Sequence, residues 1–439
     1  MFETEQTTKP EPSKMKHTYI KNLRWYIAGL LLFATTINYL DRQTLSVAAP
    51  VLRDLFKMSN TDYSHIVQAF LLAYMVMMPI SGRIIDWMGT RWGFCLSVVW
   101  WSIANILTAF AGSVGGFSVC RFLLGVGEAG NFPASIKTIS EWFPSRERAL
   151  ATGIFNMGAG FGAIIAPPLI GVLIIYYGWQ AGFIVTGLVG FIWVIAWLLL
   201  FQAPEKHPRL SPAEFAYIRD VRPDDSATDN SDSGKKKAML LDMRLWGCII
   251  AKFLTDPVWW FYIFWLPDYL KNVRHFSLAK IAMFAWLPFL AADFGSVFGG
   301  AISTFFIRRG WPTLKARKLA MCVCASLMPV ALLAVRAQSA AVAIVYICVA
   351  TLGHQAWSAS LLTLPADLFP RKQVGTAFGF SGAAGSLGGF VFAGLTGIIL
   401  DRIGYVPIFT AIGFMHPIAA IIIVLMIKDR AQKSTVCCI

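Results

Sequence analysis

The chain has 439 residues, 56% of them apolar and only 14% charged, and its mean hydropathy of +0.60 is far too high for a soluble protein of this size. The composition therefore specifies an integral membrane protein. The formal charge of +14 invites a nucleic-acid reading, but the basic residues follow a membrane topology instead, as shown below.

Residues 1–24 are polar, with Pro10 and Pro12, and form a tail ahead of a first span too long and too charged for a cleaved signal peptide. At about 20 apolar residues per crossing, twelve spans are expected, near 27–52, 64–85, 92–111, 116–140, 149–175, 179–202, 245–270, 281–307, 316–335, 340–366, 374–400 and 405–427. With the N-terminus in the cytoplasm, the inner tails and loops with their flanks hold 27 Lys and Arg against 7 on the opposite side. That asymmetry places both termini inside. Lys271, Arg274 and Lys280 are the exception outside, and read as an ordinary solvated loop in preference to a set of cations that steers anions towards the entrance.

The first span carries Asp41 and Arg42 at its middle, the fourth carries Glu128, and the seventh carries Lys252 and Asp256. Each charge costs about 2.5–3.5 kcal/mol at a helix centre unless a partner or an aqueous cavity compensates it. They read as the lining of a water-filled pathway. Asp41 and Arg42 are adjacent and so project about 100° apart on a helix, one towards a cavity and the other towards a neighbour. Arg121 and Glu128, two turns apart, share a face of the fourth span. A carboxylate at that depth is poised to bind and release a proton.

Gly125-Val-Gly127-Glu-Ala-Gly130 matches a dinucleotide fingerprint, but the glycines lie inside an apolar helix, where small residues serve close packing. The lone Gly234-Lys235 lacks the upstream glycine of a phosphate loop, so ATP is not the expected energy source. Six cysteines fall inside spans and imply no disulfide framework. No cofactor is expected, and His354 has no second ligand at metal spacing.

Residues 203–243 break the apolar rhythm with a Ser/Asp-rich stretch and a lysine run, the expected cytoplasmic linker between six spans and six spans. At an offset of 226, Phe143/Phe369, Pro144/Pro370, Gly153/Gly379, Gly162/Gly388, Gly171/Gly397, Gly178/Gly404, Phe183/Phe409 and Gly187/Gly413 are identities. The expected organisation is a tail (1–24), a six-helix bundle (25–202), the linker (203–243), a second bundle (244–427) and a tail (428–439). The fold class is thus all-α, with twelve transmembrane helices in two pseudo-symmetric six-helix bundles and a site at their interface, the architecture of rocking transporters.

In the seventh span Lys252 and Asp256 form an i,i+4 pair followed by Pro257 and the aromatic run Trp259, Trp260, Phe261, Tyr262. Lys252 serves either a substrate or Asp256. Asp293 sits at the centre of the eighth span. The tenth holds His354, Gln355 and Trp357, which offer hydrogen bonds to hydroxyls and a flat face to a ring.

The loop after the second span reads Gly82-Arg-Ile-Ile-Asp86-Trp-Met-Gly89-Thr-Arg91. Here the chain resembles the major facilitator superfamily, whose signature loop has this pattern in this place. Gly82, Asp86, Gly89 and Arg91 are then the expected conformational latch. NYLDRQTLSVAAP, RFLLGVGEAGNFPASIKTISEWFP and IAMFAWLPFLAADFGSVFGG further resemble the anion:cation symporter family, and within it bacterial hexuronate transporters, with aldonate transporters as cousins. The resemblance implies that Arg42 binds a substrate carboxylate, that Asp41 and Glu128 carry protons with Arg121 modulating them, and that Tyr74 and the position near Asn156 meet the substrate. Tyr39, beside Asp41, Lys252, His354, Gln355 and Trp357 complete the expected substrate set.

The expectation is a proton-coupled importer of a sugar acid, most simply glucuronate or galacturonate, acting as a monomer in the bilayer of the inner membrane without a protein partner or nucleic acid. An aldonate or other organic anion is the alternative within the class. A non-transporting membrane sensor is the alternative outside it. A membrane enzyme would need a catalytic constellation that the sequence does not offer.

Overall fold

Apolar segments of bilayer length fold as helices because every backbone N–H and C=O must be satisfied within the segment. The computed structural model describes residues 19–219, 239, 241–369 and 371–427, and among them every regular element is helical. Most of the N-terminal tail, the Ser/Asp-rich part of the linker and the C-terminal tail lie outside these residues.

The first half contains α1 (Leu23–Phe56), α2 (Asn60–Met88), α3 (Thr90–Thr108), α4 (Val114–Glu128), α5 (Asn131–Trp142), α6 (Ser145–Tyr177) and α7 (Trp179–Leu200). A short helix, α8 (Pro212–Ile218), follows in the linker. The second half contains α9 (Met243–Asn272), α10 (Leu278–Phe284), α11 (Leu287–Arg308), α12 (Thr313–Leu327), α13 (Ala331–Arg336), α14 (Ala340–Leu368), α15 (Arg371–Arg402) and α16 (Tyr405–Met426). Three of the twelve spans are broken helices: α4 with α5, α10 with α11, and α12 with α13.

Among the described residues, nine helical segments are long and apolar enough to cross a membrane by composition alone. The other three spans are α1, α3 and the α4/α5 pair. Polarity explains two of them. The centre of α1 reads Asn38-Tyr-Leu-Asp41-Arg42-Gln43-Thr44, while the α4/α5 pair carries Arg121, Glu128, Lys137 and Glu141.

The halves pack alike. In the first, α1 lies on α6 and α7, α2 on α4, and α3 on α4 and α7; in the second, α9 lies on α15 and α16, α11 on α14, and α12 on α14 and α16. Between the halves, α1 meets α9, α2 meets α15, and α6 meets α10 and α11. Glycines permit these approaches. A Cβ at Gly162 would stand 2.5 Å from the Thr36 carbonyl, and one at Gly125 would stand 2.6 Å from that of Phe70.

The contacts between bundles concentrate on the side away from the start of α1. There Arg53 pairs with Asp268 at 2.6 Å, Lys271 pairs with Asp54, and Ser46 and Tyr63 both donate to the Phe264 carbonyl. Gln68 of α2 donates to the Phe390 carbonyl of α15 at 3.2 Å. Towards the other side, a Cβ added at Gly153, Gly379 or Gly382 would meet nothing within 4 Å. The bundles are therefore closed on the far side, while on the side of the chain's first helix turn these three positions face open space.

One sequence reading changes here. Lys271 and Arg274 are not parts of a solvated loop: Lys271 bridges the bundles, and Arg274 donates to the Tyr269 hydroxyl and to the carbonyls of Ala334 and Ala337. The start of the linker is also docked. Glu214 of α8 accepts from the backbone N–H of Leu23 and pairs with Arg24, which pairs in turn with Glu147.

Candidate functional site

The middle of α1 supplies the first half of the site. Asp41 and Arg42 are buried to within 1% and, being adjacent, diverge to different neighbours. Arg42 Nε donates to Glu128 Oε2 at 2.5 Å, while Asp41 Oδ1 accepts from the Asn105 amide at 2.7 Å. Arg121 Nη1 donates to the backbone carbonyl of Asp41 at 3.2 Å. Glu128 thus pairs across helices with Arg42 rather than along α4 with Arg121. Two acids and two bases, all buried, balance in charge.

Close helix packing puts them there. Cβ atoms at Gly125 and Gly127 would collide with the backbones of α2 and α3, so these glycines draw α4 inward and bring its last residue, Glu128, against α1. This is the packing role expected of the glycine-rich run.

Aromatic rings surround the Arg42 guanidinium. Its carbon lies 4.7 Å from the ring centroids of both Tyr39 and Tyr74, 5.2 Å from Phe70 and 5.6 Å from Trp260 of the other bundle. A desolvated guanidinium is held by such faces through their quadrupoles. Several buried polar atoms nonetheless have no hydrogen-bond partner among the described residues: Arg42 Nη2, Arg121 Nε and Nη2, Asp41 Oδ2, Glu128 Oε1, and the amides of Asn38 and Gln43. A buried group left so costs about 1–3 kcal/mol. Spare guanidinium N–H groups suit a carboxylate ligand, because the planar fork pairs with two oxygens at once.

The second bundle contributes less openly. Lys252 and Asp256 form a salt bridge at 2.9 Å, with the Asp256 carboxylate against Gly385 of α15. His354 is buried, its Nδ1 is 3.1 Å from His416 Nε2, and its ring stacks on Trp259. Gln355 is half-buried. Trp357 departs from expectation. It is fully buried in the core of the second bundle, donates to Thr255 Oγ1 and packs edge-on against His416, so its face is not offered to a sugar. Half-buried Trp259 and Trp260 of α9 take the interface instead.

Asp293 of α11 is half-buried, and its carboxylate rests where a Cβ at Gly160 of α6 would lie, 2.2 Å away. Asn156, one turn before Gly160 and so on the same face of α6, is exposed. The structure therefore gathers Tyr39, Asp41, Arg42, Tyr74, Arg121 and Glu128 into one site. Asn156, Lys252, His354 and Gln355 belong to other parts of the molecule's middle layer.

The four loop residues do not pair among themselves. Asp86 bonds Lys137 of α5 at 2.8 Å, and Arg91 donates to the Leu198 carbonyl of α7 at 2.6 Å. Gly82 faces Pro133, and Gly89, at φ 79°, makes the turn between α2 and α3.

Sequence reasoning missed Asn38, Gln43 and Asn105, which surround the buried charges, and Phe70 and Trp260, which flank Arg42. A signal existed for the first two, since both are amides beside Asp41 and Arg42 in the middle of a membrane span.

Comparison with known proteins identifies the family and the fold. The family model for the Major Facilitator Superfamily matches residues 31–360 and 313–436. The hexuronate transporter of Escherichia coli K12 is 36% identical over 412 residues, covering 94% of this chain and 95% of its own. The galacturonate transporter of Dickeya chrysanthemi is 36% identical over 287 residues, 65% of this chain and 83% of its own. Among solved structures, a D-xylose-proton symporter superposes with a TM-score of 0.71 at 14% identity, covering 92% of this chain and 98% of that one. At that identity the likeness is one of fold.

Proposed function

The chain belongs to the major facilitator superfamily and is a transporter, and we propose that it imports a hexuronate such as glucuronate or galacturonate together with protons, by alternating access. The observation that carries this reading is Arg42: a guanidinium held among four aromatic rings, tied to Glu128 through Nε, with Nη2 free for a carboxylate. The hexuronate and galacturonate transporters among its relatives favour a sugar acid with a ring. Tyr39, Tyr74 and Trp260 supply flat faces and hydroxyls that suit one.

Protons enter the reading through Asp41 and Glu128. Substrate carboxylate and Glu128 compete for one guanidinium, so protonating Glu128 frees Arg42 for the substrate, and substrate release returns it. Asp41, held by Asn105, is the second acid, and Arg121 beside it sets the field that both acids feel. Lys252, His354, Gln355 and Asn156 are reached when the bundles close around the ligand, and the Gly82–Arg91 loop bears on that closure. In this reading both termini and the open side lie in the cytoplasm, which the positive-inside distribution supports, and the transporter works as a monomer in a cell inner membrane.

Uptake of labelled glucuronate into proteoliposomes under an imposed pH gradient tests the proposal, with galacturonate, galactonate, gluconate and glucose as competitors. Both hexuronates should compete strongly and glucose not at all. Inhibition by galactonate without inhibition by galacturonate would reverse the substrate ranking, and inhibition by glucose would remove the anion requirement.

A further inference from the structure

The spacing Gly-x3-Asp-x2-Gly of the loop at the end of α2 recurs at the end of α15, on the opposite side, as Gly397-Ile-Ile-Leu-Asp401-Arg-Ile-Gly404. The two copies are in different states. Asp86, in the first, bonds Lys137 of its own bundle and, among the described residues, nothing in the other, and its side chain is 73% exposed. Asp401, in the second, crosses to the other bundle. Its Oδ1 accepts from the backbone N–H and the side-chain amide of Asn60, both at 2.8 Å, and its Oδ2 accepts from the Thr61 N–H at 2.8 Å and the Thr61 hydroxyl at 2.5 Å.

This is a helix cap supplied in part by another bundle. The first N–H groups of a helix lack internal partners. At the start of α2, Ser59 caps the N–H of Asp62 while the Asp62 carboxylate accepts from Ser59, which leaves Asn60 and Thr61. Asp401 satisfies those two, and its negative charge sits at the positive end of the α2 dipole. Gly397 allows the approach, since a Cβ there would stand 2.4 Å from Ser64 Oγ and 2.8 Å from the Asn60 carbonyl. The pseudo-equivalent segment of the first half keeps both glycines, Gly171 and Gly178, but has Ile175 in place of the acid. The cap is therefore particular to the α2/α15 contact.

We infer that Asp401 is a positioning residue of the transport cycle, a clamp that holds the far side of the molecule shut by capping α2 and that must let go for the site to open there. It rests on the alternating-access reading. Opening that side separates α2 from α15, exposes two N–H groups and a carboxylate to water, and so makes the far-side-closed state the favoured one while the site is empty. Asp86 and Asp401 act at opposite ends of the same helix, α2, which makes that helix the lever between the two openings.

The test uses the full chain carrying Ser46→Cys as reporter. Ser46 is buried between α1 and α9 on the closed side. Right-side-out and inverted vesicles are treated with a membrane-impermeant maleimide, and labelling at position 46 is read by mass spectrometry. Asp401→Ala should raise labelling from the far side by about five- to tenfold, the shift expected from losing a helix cap. Asn60→Pro should reproduce part of the rise, because it removes both donors to Oδ1 while proline suits the first position of a helix and the extended Ser59 before it. Asp86→Asn should give none. Unchanged labelling in Asp401→Ala overturns the inference; if that variant does not reach the membrane, unchanged labelling in Asn60→Pro does so. Labelling needs no substrate, so a wrong hexuronate assignment leaves this result standing, and galacturonate uptake by the unaltered chain in the same vesicles tests that assignment separately.

Discussion

Arg42 and Glu128, 86 residues apart, share one hydrogen bond of 2.5 Å in the buried centre of the first bundle, and each keeps a buried polar atom, Nη2 and Oε1, without a partner among the described residues. A saturated ion pair would be a structural strut. This one is half-used, with a spare donor on the base and a spare acceptor on the acid, and so offers a place for a carboxylate and a place for a proton within one constellation.

Neutralising the acids should uncouple transport. Glu128→Gln and Asp41→Asn are expected to abolish accumulation of substrate under a pH gradient while counterflow exchange survives, because exchange needs binding and closure but no proton cycle. Both variants still concentrating substrate in proteoliposomes would remove protons from the mechanism.

Arg42→Lys keeps the charge and loses the fork. One or two charge-assisted hydrogen bonds at about 1.5–3 kcal/mol each predict that Vmax/KM for hexuronate uptake falls by at least about tenfold, with little change in the amount of protein in the membrane. Near-normal uptake would show that the carboxylate binds elsewhere.

The two tryptophan positions should separate. Trp260, with its ring 5.6 Å from the Arg42 guanidinium, contributes a cation–π contact worth about 0.5–2 kcal/mol, so Trp260→Leu should raise KM by roughly two- to thirtyfold. Trp357→Phe, in the closed core, should lower the unfolding temperature in detergent and leave KM unchanged. A raised KM in Trp357→Phe with none in Trp260→Leu would reverse the placement of the two rings.

Ser231→Cys probes orientation. If the linker is cytoplasmic, an impermeant thiol reagent added to intact cells should leave this cysteine unmodified, and permeabilised cells should label it. Ready modification from outside would invert the topology and, with it, the side to which the site opens.

The twelve spans were legible because apolar length is a local property, and so was Lys252 with Asp256, since four residues along a helix fix their neighbours. The partner of Glu128 was not. Arg121 shares its helix face and is the obvious candidate from spacing, yet the glycines of α4 press Glu128 against α1, and that choice is made by packing between helices. Trp357 and Trp260 illustrate the same limit: both lie mid-span, and only the rotation of each helix decides which ring is core and which meets the other bundle. Lys271 and Arg274 look like loop residues in any window of sequence, because the groups that bind them, Asp54 and the carbonyls of Ala334 and Ala337, come from distant segments.

The charge balance of the centre has an electrical meaning. Asp41, Arg42, Arg121 and Glu128 sum to zero when ionised, so a bound monoanion leaves the loaded site at minus one and one proton restores neutrality. Carried in that ratio, substrate crosses without work against the membrane voltage, and the pH difference alone drives accumulation. A second proton on Asp41 would give the loaded site a net positive charge and add about 2.3 kcal/mol of driving force per 100 mV. The current that accompanies uptake therefore counts how many of the two acids take part in each cycle.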